Sequence, residues 1–279
     1  PLCLVGSEMC IRDSYKIMSR HKDLFQTIAQ LEHDETPYAI ATVFQVHGSS
    51  SGKVGDKALY SEEGKRITGY IGGGCIENRV AEVAKESLIN GQPKTIEIDL
   101  DSDEMRMGIP CGGFMSIIVE PQLRNKVLFI RGFGGLAEIL CQMANLLKFK
   151  VIVQTSKDEK ERFPDAEKII TDEIEIGSVN LPIDFFILAT HHRNDDAVSL
   201  EALRRGIPYV GVVASKKKTG IILEYLRKNG VTKKELDCFY SPVGLELNAK
   251  SPEHIALSIL SEIVMLDNGG SGKPKKTES

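Results

Sequence analysis

The sequence predicts an α/β protein: an N-terminal α+β domain followed by a Rossmann-like, doubly wound parallel-sheet domain. Three observations carry that reading. A chain of 279 residues is about two domains long at roughly 150 residues each. Before residue 123, β-rich segments mix with one or two helical patterns, as in an α+β layer. After it, continuous apolar strands alternate with helical patterns, the mark of a parallel sheet covered on both faces.

In chain order, residues 1–14 (PLCLVGSEMCIRDS) lack amphipathic period and resemble a translated sequencing-adaptor fragment, so they are expected to be a non-native leader, with Met18 as a start. The first domain spans 15–122. Leu24, Ile28 and Leu31 recur at helical spacing within Arg20–Leu31. Tyr38–Val46 reads as a strand running into the flexible loop His47–Gly52. Ala58–Tyr60 and Arg66–Tyr70 form a hairpin pattern. The segment after Gly72-Gly73-Gly74-Cys75 is an amphipathic helix ending before Asn90-Gly91, and Thr95–Leu100 and Met115–Glu120 are two further strands.

The second domain spans 123–266. Its strands are Lys126–Arg131, Lys150–Gln154, Asp184–Ala189 and Tyr209–Val213, with a helix over Gly135–Leu147. Residues 267–279 are rich in Gly, Lys and Ser and read as a disordered tail.

Composition excludes several functions. Thirty-five basic against 39 acidic residues give a net charge of −4, which argues against nucleic acid or an anionic membrane as partner. No apolar run approaches the roughly 18 residues of a membrane span. With no secretory signal, the six cysteines are expected as thiols in a reducing cytoplasm.

Gly132-Phe133-Gly134-Gly135-Leu136-Ala137 matches G-x-G-x-x-A between a strand and a helix. The first glycine permits a tight turn, the second lets a pyrophosphate approach the backbone, and the small third residue allows close helix packing. The alternative is a glycine-rich turn with no ligand. The next strand ends Gln154-Thr155-Ser156-Lys157, without the carboxylate of an NAD site, so a bound dinucleotide is expected to be NADP rather than NAD. Thr190, His191 and His192 follow a parallel strand and are expected to line the ligand crevice, rather than to form a metal pair with Asp195 and Asp196.

Ser215 is placed to cap a helix whose first turn carries Lys216, Lys217 and Lys218. Three cations there oppose the helix dipole, so they mark either an anion site or solvated side chains.

Cys75 stands at a helix start, where the dipole favours thiolate, and Cys111 lies in the loop Pro110-Cys111-Gly112-Gly113. Such thiols suit a soft metal or a sulfur relay, against the alternative of small buried hydrophobes. Cys141 takes the second reading, and Cys238 is open. Gly48–Val54 (GSSSGKV) is one residue short of a P-loop and lacks its Ser/Thr.

Gly72–Glu77, Gly108–Gly113, Val212–Lys218, Ser241–Leu245 and Ser251–Ile259 together resemble the XdhC/CoxI family, accessory proteins of xanthine dehydrogenase and carbon monoxide dehydrogenase maturation. The resemblance implies a maturation factor rather than a turnover enzyme. It would bind molybdenum cofactor (molybdopterin), support its sulfuration with a cysteine desulfurase, and deliver it to an apo molybdenum hydroxylase.

Cys75 and Cys111 match the family's two motif cysteines, with Cys75 as a cofactor ligand to the metal. Gly73, Gly74, Glu77, Gly112, Gly113, Ser215, Lys216, Lys217 and Gly244 fall in its motifs. Thr155 departs from the acidic residue the family often carries. A homodimer is a further expectation. The competing reading is an NAD(P)-dependent oxidoreductase using the Gly132 loop and His191 or His192 for proton transfer.

Overall fold

The computed structural model describes residues 23–99, 113–172, 175–190 and 194–276, together with the backbone but not the side chain of Cys75. Contacts divide the chain into two compact units, Pro1–Arg124 and Asn125–Ser279.

The first unit is a five-stranded antiparallel sheet in the order β3-β2-β1-β5-β4. Its strands are β1 (Tyr38–Gly48), β2 (Lys57–Tyr60), β3 (Arg66–Gly69), β4 (Lys94–Asp99) and β5 (Gly113–Gln122). Alternation along β1 turns Ala39, Ala41 and Val43 inward, where they meet Ile117 and Val119 of β5. Helix α1 over 23–33 packs Leu24 against Tyr38 and Leu59 in a separate small cluster. Helix α2 (Gly74–Asn90) covers the inward face of β1 and β5 with Ile76, Val80, Val83, Ala84 and Leu88. It ends at Gly91, whose φ of +64° is the left-handed turn that favours glycine.

The second unit is a six-stranded parallel sheet in the order β11-β10-β9-β6-β7-β8. It comprises β6 (Val127–Gly132), β7 (Lys150–Gln154), β8 (Lys168–Ile170), β9 (Phe185–Ala189), β10 (Val210–Val212) and β11 (Phe239–Tyr240). Helices α3 (Gly134–Leu146) and α7 (Pro252–Asp267) cover one face through Ala137, Leu140, Ile259 and Ile263. Helices α4 (Asp195–Arg204) and α5 (Lys216–Lys228) cover the other through Ala202, Leu203, Ile222 and Leu226. A short α6 (Lys233–Leu236) starts with a capping box between Thr232 and Glu235.

The chain winds outward from β6 in both directions, so the order reverses between β6 and β9. A crevice at such a reversal is where open α/β sheets take their ligands. The mixed architecture is the predicted one, and β8 and β11 are additions to it. Among the described residues no helix is long and apolar enough to cross a membrane.

Candidate functional site

Two glycine loops sit at helix starts, one in each unit. In the first unit Gly72 has φ +138° and Gly74 φ +25°, so the backbone turns sharply into α2. A Cβ built on Gly73 or Gly74 would meet nothing within 4 Å, which leaves open space above the helix start. The first N–H groups of a helix have no intrahelical acceptor. Gly73, the N-cap, offers them no side-chain hydrogen bond, and its own N–H donates to Ser51 Oγ at 3.3 Å. Cys75 is the second residue of α2. Glu77, two residues on, is ion-paired with Arg66 of β3.

The loop after β1 ties this region together. A Cβ on Gly52 would lie 2.3 Å from the Ile71 carbonyl oxygen, and one on Gly113 would lie 2.4 Å from that of Ser49. The 49–52 segment therefore packs against both the backbone leading to Cys75 and the first residue of β5. Gly113 follows Cys111 by two residues in the chain, while Cys111 and Gly112 lie outside the described residues. The P-loop-like stretch has no phosphate-binding spacing, yet it supplies Ser51 to the Gly73 loop.

In the second unit Gly132 ends β6. A Cβ there would meet the Ala189 carbonyl oxygen at 2.7 Å, the Ala189 Cβ at 3.1 Å and the Ala137 Cβ at 3.2 Å. Only glycine fits. Gly134 turns with φ +70°, and a Cβ on Gly135 would meet nothing within 4 Å. This backbone has the shape of a dinucleotide loop, but one donor is already engaged. Gly134 N–H donates to Glu159 Oε2 at 3.1 Å, and Arg162 Nε holds the same oxygen at 2.9 Å.

Thr155, expected with Ser156 and Lys157 to meet a bound dinucleotide, is buried instead. It is 5% exposed because its N–H bonds Ile170, extending the β7–β8 pairing by a residue, and its hydroxyl has no partner among the described residues. Ser156 is half-buried and Lys157 exposed.

Thr190 follows β9 and donates from Oγ1 to Asp195, whose other oxygen is ion-paired with Lys218 Nζ. The Asp195 side chain is 1% exposed and that of Lys218 is 20%. Ser215 caps α5, as predicted, by accepting from Lys218 N–H at 3.3 Å. The three lysines thus separate: Lys216 and Lys217 are exposed, while Lys218 neutralises a buried carboxylate. His191 and His192 lie outside the described residues.

Gly244 has a structural reason to be glycine. With φ +104°, a Cβ would sit 2.3 Å from Ser258 Oγ, and its N–H donates to Glu262 Oε2 at 3.0 Å. The same oxygen accepts from the Tyr209 hydroxyl at 2.6 Å. Burial, and then the Glu262 carboxylate, push the Tyr209 phenol well above its ordinary range. Cys141 is buried, as its helix pattern predicts, and burial pushes its thiol up to about 12, with Asp165 adding to the shift. Cys238 is a half-buried free thiol.

Comparison with known proteins assigns a relative to each unit. Residues 31–99 match the XdhC and CoxI family, and residues 128–263 match the XdhC Rossmann domain. The uncharacterised protein YqeB of Escherichia coli is 28% identical over 258 residues, covering 90% of this chain and 47% of that protein. The chain therefore spans about half the length of YqeB. A protein of Bacillus subtilis described as a probable xanthine dehydrogenase component is 23% identical, covering 84% of this chain and 94% of its own. The molybdenum cofactor insertion chaperone PaoD of Escherichia coli is 24% identical, covering 80% and 81%. A crystal structure of a xanthine dehydrogenase from Bacillus halodurans is 22% identical, with TM-score 0.47 over 91% of this chain and 97% of that one.

Proposed function

Because the chain belongs to the XdhC and CoxI family, we propose that it is an accessory chaperone that binds molybdenum cofactor and hands it to an apo molybdenum hydroxylase. The observation that carries this reading is the open space above Gly73 and Gly74 at the start of α2, with Cys75 in the first helical turn. A phosphate-bearing ligand fits that setting, since the open backbone at a helix start and the helix dipole both favour an anion. Cys75, the second residue of α2, is the thiol that we assign to the cargo's metal or sulfur. Glu77, held by Arg66, keeps its charge turned to β3.

The cargo brings its own metal and sulfur chemistry; this chain binds and orients it. Sulfuration with a cysteine desulfurase belongs to the same proposal, with Cys111, two residues before Gly113 in the chain, as the second thiol. The free thiols Cys141 and Cys238 suit a reducing cytoplasm.

The test is retention of cofactor by protein purified from a host that makes it, read as molybdenum by mass spectrometry and as pterin by fluorescence after oxidation. Cys75→Ala should lose most of both, with an unchanged circular dichroism spectrum. Equal retention by the variant overturns the role of the thiolate.

A second ligand, NADP or NAD, is favoured by the backbone of the Gly132 loop at the sheet's reversal point. There Ser156 and Lys157 would meet a 2′-phosphate, with Lys216 and Lys217 exposed at the start of α5. Titration of both dinucleotides into the purified chain tests it. Binding of neither removes the dinucleotide and leaves the chaperone reading intact.

A further inference from the structure

Residues 270–275 turn back along α7 rather than running on from it. The helix is capped by Asn268, and Gly269 takes φ +64°. Gly269 N–H donates to the Leu266 carbonyl at 3.3 Å and Gly270 N–H to that of Met265 at 2.7 Å, the paired bonds by which a glycine after a helix reverses the chain. The returning stretch lies close to the helix. A Cβ on Gly272 would meet Met265 Sδ at 2.8 Å and Leu245 Cδ2 at 3.8 Å.

This stretch, α3 and α7 enclose an apolar cavity of about 650 Å³. Met143, Leu146 and Leu147 form one wall, and Leu257, Leu260 and Val264 another. Leu146 is 80% exposed and Leu257 47%, so the walls stand open to solvent at the mouth. Exposed leucines gathered in one concavity differ from scattered ones and mark a surface that takes an occupant. Sites for small molecules are of this kind, roughly 300–1,000 Å³ and apolar apart from a few polar groups.

Charge selects the occupant. Lys273 and Lys275 are the two charged residues of the lining, which holds no acid. Both belong to the returning stretch, so the cations stand on the apolar cavity itself, and neither ammonium is paired with an acid among the described residues. Size narrows the choice further. A partner helix about 10 Å across, laid over the roughly 16 Å from Leu257 to Asn268, would fill about 1,300 Å³, twice the space present. A single hydrocarbon chain fits beside residues 270–275 without moving them.

We propose that this cavity binds a free amphiphile with one unbranched apolar chain and an anionic head, of the fatty-carboxylate class. The chain lies between α3 and α7, and the carboxylate meets Lys273 and Lys275. The site belongs to the second unit and does not depend on molybdenum cofactor.

Titration calorimetry of the full chain with decanoate and with decyltrimethylammonium, both below their micelle concentrations, tests the site. The two ligands have similar chains and opposite heads. Decanoate should bind, and the cation should bind at least about tenfold more weakly. Octanoate, two methylenes shorter, should also bind about tenfold more weakly than decanoate. Lys273→Gln with Lys275→Gln should abolish the preference for the anion and keep the dependence on chain length. Leu257→Asn should weaken both ligands about tenfold. All three side chains are exposed, so thermal melts of these variants should match the wild type.

A wild type that gives no binding heat with decanoate overturns the proposal. So does equal affinity for the two heads, or a Leu257→Asn protein that binds decanoate normally. Cosedimentation with phosphatidylglycerol vesicles in the absence of decanoate binding gives the face to a membrane instead. Capture of an apo molybdenum hydroxylase that is lost on Leu257→Asn, with no binding of decanoate, gives it to a protein; either result overturns the free amphiphile.

Discussion

Replacing Asp195 by Ala strips a buried ion pair of its acid. Its carboxylate, 1% exposed, accepts from Thr190 Oγ1 and faces Lys218 Nζ, which reaches it from α5. Removing one partner of a buried pair costs roughly 3–5 kcal/mol when the other charge stays stranded. Lys218 is 20% exposed on a flexible stem, so part of that cost is relieved by turning the ammonium toward water. About 2–3 kcal/mol is therefore expected for Asp195→Ala. Lys218→Met should cost more, roughly 3–5 kcal/mol, because Asp195 has no such exit. The double variant should cost less than the sum of the two, since no charge is left behind. Cys141 supplies the assay. Buried and pushed up to about 12, its thiol reacts slowly with an alkylating reagent until the second unit opens. Labelling at Cys141, read by mass spectrometry across a urea series, gives the stability of that unit. A Lys218→Met protein more stable than Asp195→Ala, or additive costs, would refute the picture of one buried pair with a single exposed end.

The two glycines of the dinucleotide-like loop should respond oppositely to alanine. Gly132→Ala drives a methyl to 2.7 Å from the Ala189 carbonyl and should cost about 1–3 kcal/mol, whereas Gly135→Ala should stay within about 1 kcal/mol of wild type in thermal melts. Equal melting temperatures would contradict the packing described. Glu159→Gln removes a charge from the start of α3 and should cost about 0.3–1 kcal/mol while strengthening any binding of inorganic pyrophosphate; calorimetry showing no gain would mean that the carboxylate does not compete for the loop. Tyr209→Phe takes a donor from Glu262, leaving Gly244 N–H, and should cost roughly 1.5–3 kcal/mol in urea unfolding. A change below a few tenths would show that Glu262 is satisfied without it.

What the sequence made legible follows from interaction range. The long apolar strands β6, β7 and β9, the helices α2 and α3, and the Ser215 cap are local patterns, and each lies within two or three residues of its expected place. The three-residue β8 and two-residue β11 are too short to show a period. They exist because β7 and β10 offer parallel edges, pairing Ile152 with Lys168 and Val210 with Phe239. Site chemistry divides the same way. The glycines of both loops announce themselves, but Asp195 and Lys218, 23 residues apart, meet only because β9 and β10 are neighbours. Thr155 reads as a ligand-facing hydroxyl at a strand end, but one further backbone hydrogen bond to Ile170 draws it inside.

Glu159 shows why a glycine fingerprint underdetermines its ligand. The spacing reports where the backbone can turn and approach, and here the approach is open at Gly135. It does not report what the liberated N–H is bonded to. Glu159 comes five residues after β7 ends, past the position where a ribose-binding acid would stand, and it reaches back to Gly134 instead. Arg162 fixes it there through Nε and holds Glu138 of α3 with Nη1 at 3.1 Å. An anion entering this loop meets a carboxylate already in place. At α2 Gly73 N–H is bonded to a neutral hydroxyl, Ser51 Oγ, rather than to a carboxylate, Gly73 and Gly74 are open, and the first-turn acid Glu77 is paired with Arg66. Both helix starts carry the same dipole, so the difference between them is electrostatic occupancy. On that ground we propose the first unit's loop, which leads into Cys75, rather than the Gly132 loop as the one that receives a phosphate.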